Sequence, residues 1–351
     1  MTNIIPSIGR MLALSLTATA FHGMAAPAPV ESAYPGTHRI PGSLTYFGER
    51  PSWSPDGGKI AFMSKSYGDA FEIDLETKDI KLLTGTPNPG YLRVQYLPNG
   101  DYFLIGARTF EDATTTRENN MEMWVLKQGE REPVALGHKI WEGVAISANT
   151  TRIAWANTHG NYPDRFAENE NAISVADIVY DDDGQPALAN EREVLRATEP
   201  ECKLEPQDFR NNDTELIYTC YDDTDFPTGG TSSGGNVRGI NLETGEVIIY
   251  RHVVGEYNEV EGIYPGGRYT LVESTRDNWQ ANNGTRAIDL WRMSLEPNST
   301  DFVRLTFLGD SRGDKAGNPV VSPDGRTMAF SRGRIEDAAG VGYGILLLPL
   351  E

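Results

Sequence analysis

The chain has 351 residues, 31 of them basic and 50 acidic, and its formal charge of −19 excludes a nucleic-acid binder, because phosphate recognition needs a basic stripe and none is visible. After the N-terminus no stretch approaches the roughly 18 to 20 apolar residues that a spanning helix requires, which excludes a helical membrane protein. The acidity reads first as a solubility device and second as a sign of a cationic partner or a bound metal.

The first 26 residues place a single positive charge, Arg10, before an apolar run from Met11 to Phe21 and small residues at Ala25, Ala26 and Ala28. This is the pattern of a secretory signal peptide, so the chain is expected to be soluble and to work outside the cytoplasm, in a periplasm or after secretion. Residues 27–36 read as a linker and residues 37–351 as one domain. Within that domain helical periodicity is scarce, whereas short alternating runs bounded by Gly, Pro, Asn and Asp recur, which marks an all-β fold.

The units of that fold repeat. Trp53-Ser54-Pro55-Asp56-Gly57-Gly58 leads into Lys59 to Ser64, and Val321-Ser322-Pro323-Asp324-Gly325 leads into Arg326 to Ser331; each is a strand, a tight turn and a returning strand. Weaker copies turn at Asn99, Asn149, Asn212 and Gly266, so six turns at 56, 99, 149, 212, 266 and 324 are separated by 43 to 63 residues. A second hairpin follows the first in most units, as in Phe71 to Leu75 with Ile80 to Leu83 and Ile240 to Leu242 with Val247 to Tyr250. A four-strand unit repeated at this spacing is a propeller blade, so the expected architecture is a six-bladed β-propeller. The sixth unit ends one strand short at Ile345 to Leu350, and Leu44-Thr45-Tyr46-Phe47-Gly48 resembles Leu305-Thr306-Phe307-Leu308-Gly309, the close of the fifth. The N-terminal strand is therefore expected to complete the last blade and to remove its open edge. Cys202 and Cys220 lie nine residues on either side of Asn211 in the fourth unit, which sets them opposite each other on a hairpin and predicts one disulfide.

The Ser-Pro-Asp-Gly turns followed by Lys-Ile-Ala-Phe or Arg-Thr-Met-Ala-Phe make residues 37–351 similar to the TolB-like propeller family. The resemblance implies a closed ring of blades and a role in binding partners at the cell envelope. The separate N-terminal domain that accompanies the propeller in TolB is not expected here. Similar propellers precede the catalytic domain of prolyl oligopeptidase-like enzymes, a domain that is not expected here. The histidine-rich metal site of the oligogalacturonate lyase branch has no counterpart either, since His38, His138, His159 and His252 belong to different stretches.

The inner strand of each blade starts at the mouth of the central channel. Counting seven positions back from residues 56, 149, 212 and 266 reaches Glu49, Glu142, Glu205 and Glu259, with Glu261 just beyond and Arg93 in the second blade. Two carboxylates about 8 Å apart at an effective dielectric of about 20 repel by roughly 2 kcal/mol, so such a ring needs a cation, water or protons. Three readings follow: glutamates bonding neighbouring backbones in a wet channel, ligands for a divalent cation such as calcium, or acid/base groups acting on a sugar. Glu142 and Glu205, on adjacent blades, are the candidates for the acid/base or metal-binding pair. Glu49, Arg93, Glu259 and Glu261, with His159, Tyr162 and Trp279 from long polar and aromatic loops, are the candidate ligand contacts. The expected ligand is a small polar molecule or oligosaccharide, and the expectation from a different class is a non-enzymatic scaffold for a protein partner.

Overall fold

The computed structural model describes residues 41–350 except residues 86, 226–233, 277–286, 311–312 and 338–339. The expected signal peptide and linker, and Trp279, lie outside the described residues. Six four-stranded antiparallel sheets form a six-bladed propeller. Their inner strands are Glu49–Trp53, Tyr91–Tyr96, Trp141–Ile146, Lys203–Arg210, Asn258–Ile263 and Asp314–Val321.

The reason for near-continuous apolar runs is visible in the second strand of each blade, which is covered on both faces. In Lys59–Met63, Ile60 and Phe62 pack toward the sixth blade while Ala61 and Met63 pack toward the second. In Tyr102–Ala107, Phe103 and Ile105 face the third blade while Tyr102 and Leu104 face the first. Among the described residues the core divides into six clusters, one at each interface between neighbouring blades. Burying one such Phe or Leu stabilises the ring by about 1.5–3 kcal/mol, so adhesion between blades rests on the alternation itself.

The turn motif has a physical basis. Ser54 Oγ accepts from Lys59 N–H at 2.9 Å and donates to Asp56 Oδ1 at 2.6 Å, and Gly57 takes φ 74°. Ser322, Asp324 and Gly325 repeat the arrangement, Gly325 at φ 75°. Only glycine adopts that backbone without strain.

The seam closes as expected, one step earlier in sequence than the Leu44–Gly48 similarity suggests. Gly42–Ser43 forms the outer strand of the sixth blade, Gly42 facing Leu347 and Ser43 facing Leu346. Leu44 N–H then donates to Ile345 O at 2.8 Å, and Ile345 N–H donates to Thr45 Oγ1 at 3.0 Å.

Two details differ from the sequence reading. Cys202 and Cys220 are joined, with Cα atoms 5.1 Å apart, but Cys220 faces Leu204 in the ladder. The ladder turns between Arg210 and Glu215 rather than about Asn211, so the bridge is diagonal and Cys202 precedes its strand. The second blade also carries a helical insertion, a short turn at Ala113–Thr115 running into a wide turn at Thr116–Asn120, started by Asp112 accepting from Thr114 and Thr115 N–H.

Candidate functional site

All six inner strands are interrupted by a register shift: between Glu49 and Ser52, Tyr91 and Arg93, Trp141 and Val144, Pro206 and Asp208, Val260 and Ile263, and Gly317 and Val320. Each bulge re-aims side chains where the strand meets the channel. Inside three of them Arg50, Glu142 and Asn318 adopt left-handed backbone, with φ of 53°, 51° and 49°. That conformation costs a non-glycine residue about 1–3 kcal/mol, and such strain concentrates at ligand sites.

These three residues line one cavity of about 450 Å³ at the upper mouth of the channel. A second space of about 750 Å³ opens below, between the tight turns, and Arg50, Arg93 and Asn318 border both. They form the waist between the two.

The upper cavity is built from paired charges and aromatic rings. Arg117, delivered by the helical insertion, donates from Nε to Glu142 Oε2 at 2.9 Å, and Arg50 Nη2 lies 3.9 Å from Glu142 Oε1. Burial, and then the neighbouring Arg50 charge, lower the Arg117 pKa. Glu49 accepts from Ser66 Oγ at 2.9 Å. On the opposite wall the rings of Tyr221 and Tyr257 stack at 6.2 Å with 25° between their planes, Trp141 meets Tyr221 edge-on at 6.4 Å, and Lys203 Nζ lies 4.0 Å from the Trp141 ring centre.

Beneath this wall the carboxyls crowd. Glu205 is 1% exposed; it accepts from Tyr221 OH at 2.6 Å and from Arg93 Nη2 at 3.4 Å. Glu259 accepts from Tyr257 OH and, at 3.4 Å, from Gln207 Nε2, while Glu273 accepts from Asn318 N–H at 2.5 Å. Burial, reinforced by Glu205 and Glu273, pushes the Glu259 carboxyl well above the usual range. Burial raises Glu261 likewise, with Glu259 and Glu273 adding to it, and burial outweighs the Asn318 N–H in raising Glu273. For Arg93 burial acts against the charge, yet Glu205, Glu261 and Glu259 outweigh it and raise the pKa.

In a comparison of folds the chain matches the TolB-assigned protein of Agrobacterium tumefaciens with a TM-score of 0.51 and 13% identity, over 80% of this chain and 96% of that one. The fold is a TolB-like propeller. The TolB-like ring also matches the tricorn protease with a TM-score of 0.53 and 12% identity, covering 82% of this chain and 24% of the protease chain. Hydrazine synthase of Kuenenia stuttgartiensis matches at a TM-score of 0.50 and 12% identity, over 90% and 99% of the two chains. At such identities the likeness is one of fold alone. No protein-family model and no curated protein matches the sequence.

On this TolB-like frame the residues singled out from the sequence separate. Glu49, Arg93, Glu142 and Glu259 line the upper cavity, and Glu261 borders the lower space. Glu205 lies under the wall, packed so closely on the third blade that a methyl group at Gly143 would sit 2.3 Å from its Oε1. His159 and Tyr162 lie apart from the cavity: His159 Nδ1 is 2.8 Å from Phe166 O within its own loop, and Tyr162 OH accepts from Lys139 N–H at 2.7 Å, which ties that loop to the outer strand of the second blade. Sequence reasoning missed Arg50, Arg117, Tyr221, Tyr257, Glu273 and Asn318. Glu273 was within reach, because it faces Glu259 in the ladder of the fifth blade, and the upper ends of second strands open on the channel just as the starts of first strands do.

Among the described residues two clusters bring oxygen or nitrogen ligands together, Glu259 with Glu261 and Glu273, and Asp222 with Asp225 and His252. In the second, Asp222 Oδ1 already accepts from Thr224 N–H at 2.9 Å and His252 Nε2 lies 3.1 Å from Asp225 Oδ2. No described helix is long and apolar enough to cross a membrane.

Proposed function

We propose that this propeller works outside the cytoplasm and binds a polar, hydroxyl-rich ligand, a carbohydrate, in the upper cavity. The observation that carries the reading is the pairing of the stacked Tyr221 and Tyr257 rings with the Arg117, Glu142 and Glu49 charges around one space of about 450 Å³. A sugar offers an apolar ring face to an aromatic wall and hydroxyls to fixed donors and acceptors, and a mostly preformed pocket with few convergent polar groups suits it. The Cys202–Cys220 bridge agrees with an oxidising compartment. In this reading Glu142 holds Arg117 and Arg50, and Glu205 holds Arg93. Both are positioning residues.

Cleavage of the bound saccharide is a second reading, favoured by the buried Glu259 carboxyl, whose raised pKa keeps a proton available, on the same cavity as Glu142 beneath its two guanidinium groups. One proton-bearing and one charge-paired carboxyl is the combination that glycoside cleavage uses. A non-enzymatic scaffold for a protein partner is the outcome if no glycan binds.

The test is a glycan panel applied to the purified chain and to Arg117→Ala and Glu142→Gln, with product analysis by mass spectrometry. Retention of a glycan class by wild type, weakened about tenfold or more in both variants as expected for losing a charged hydrogen bond, supports binding. Absence of any retained glycan, or equal retention by all three proteins, removes the carbohydrate reading.

A further inference from the structure

Arg50 is 6% exposed, and its backbone N–H donates to Ser331 Oγ of the sixth blade at 2.9 Å, which pins this left-handed residue at the seam of the ring. Its side chain borders both the upper cavity and the lower space, yet among the described residues the guanidinium makes no hydrogen bond, and Nε is buried without a partner. The nearest carboxylate oxygens stand off: Glu49 Oε1 is 3.8 Å from Nε and Glu142 Oε1 3.9 Å from Nη2, both beyond hydrogen-bond reach. Each is engaged elsewhere, Glu49 by Ser66 Oγ and Glu142 by Nε and Nη2 of Arg117. Glu273 also interacts with the Arg50 charge, but burial holds that carboxyl toward its neutral form. A buried cation whose donors are unspent is poorly compensated by its surroundings.

The charge balance of the cavity agrees. Acids outnumber bases 50 to 31 in the whole chain, whereas seven Lys and Arg side chains line the upper cavity together with six acidic ones. Burial raises three of those acids, Glu199, Glu259 and Glu273, toward the neutral form. The mouth of the channel is therefore a positive spot on an acidic molecule, and such a spot concentrates anions.

We infer that the saccharide bound in the upper cavity is an acidic one, and that the Arg50 guanidinium, with Arg117 on the other side of Glu142, binds its oxyanion, a carboxylate or a sulfate ester. A neutral hydroxyl would accept one bond from Arg50 and leave the charge unmatched. An oxyanion accepts two parallel N–H bonds from the planar fork and matches the charge as well. The inference rests on the carbohydrate reading for the sugar ring against Tyr221 and Tyr257, and it adds the charged group that the opposite wall selects.

Paired glycans test it. Every uronate-bearing member of a glycan panel is run beside its carboxyl-reduced product, and every sulfated member beside its desulfated product, at one ionic strength on wild type, Arg50→Gln, Arg50→Lys and Arg108→Gln. Wild type is expected to hold an acidic glycan about tenfold or more tightly than its neutral counterpart, as a charge-assisted bond gives, and the pair that shows the preference names the oxyanion. Arg50→Gln should cut that preference about tenfold. Arg50→Lys keeps the charge without the fork and should lose part of the preference, so it serves should Arg50→Gln fail to fold. Arg108, exposed and paired with Glu122 away from the cavity, should be replaceable without changing the preference. The preference is a ratio within one protein sample, so a variant that is merely less stable does not move it. Neutral and acidic members held equally by wild type, or a preference that survives in both Arg50 variants, would overturn the inference and leave carbohydrate binding standing. Retention of no glycan at all would remove the carbohydrate reading and this inference with it.

Discussion

Replacing Arg93 by Met should be far more damaging than replacing its partner Glu205 by Gln. Arg93 is a buried cation facing Glu205, Glu261 and Glu259 together, whereas Glu205 is one of several acids facing Arg93. At 3.4 Å and an effective dielectric of about 20 the Arg93–Glu205 attraction is about 5 kcal/mol before desolvation is subtracted. Removing the cation leaves Glu205, 1% exposed, with the Tyr221 hydroxyl in place of a countercharge, and stranding a buried charge costs about 3–5 kcal/mol. Glu205→Gln keeps the shape and leaves Arg93 near Glu259 and Glu261, so a loss of about 1–2 kcal/mol is expected. The direction with pH follows from the raised carboxyls. Glu259, Glu261 and Glu273 hold protons more tightly folded than unfolded, so their contribution is complete below the ordinary glutamate range and is lost as pH rises through their folded values. Wild type in EDTA should therefore lose stability from pH 5 to pH 9, and Arg93→Met should lose it more steeply. Urea unfolding followed by tryptophan fluorescence at both pH values measures this. Equal damage from the two substitutions, or a penalty for Arg93→Met that does not grow with pH, would refute the reasoning.

Cys202→Ala with Cys220→Ala should lower stability by about 3 kcal/mol, the loop-closure value for a separation of 18 residues, and unfolding with and without reductant should move wild type but not the double variant. Gly235→Ala would place a methyl group 2.5 Å from the Asn258 carbonyl oxygen, where the fourth blade meets the fifth, and a loss of about 1–3 kcal/mol is expected in denaturant unfolding. Thr45→Val removes the acceptor of the buried Ile345 N–H at the ring seam, at a cost of about 1–3 kcal/mol. Hydrogen exchange should then quicken first at Ile345–Pro349, and protection lost uniformly over all blades would contradict the seam as the weak point.

Part of the site is legible in the amino-acid sequence. The spacing of tight turns places the starts of the inner strands, and with them Glu49, Glu142 and Glu259 at the cavity, because a strand advances by a fixed rise and every blade enters the channel in the same direction. That rule has no access to the bulges. The shift begins at Glu49 itself in the first blade but at Pro206, one residue past Glu205, in the fourth, so Glu205 ends under the wall although its position counts the same as that of Glu49. The loop residues His159 and Tyr162 lie away from the cavity for another reason: backbone groups must be satisfied first, and His159 is spent on Phe166 O of its own loop and Tyr162 on Lys139 N–H of the second blade.

The number of blades, the turns and the closure of the last blade by the first strand are written in local patterns, repeated apolar alternation and Asp-Gly geometry. Which charges meet depends on the closed ring. Arg50 comes from the first blade, Arg117 from an insertion in the second and Glu142 from the third, and they share one cavity because the ring brings distant segments to a common axis. Pairing across that axis depends on side-chain direction to within an ångström, and no periodicity in the chain encodes it.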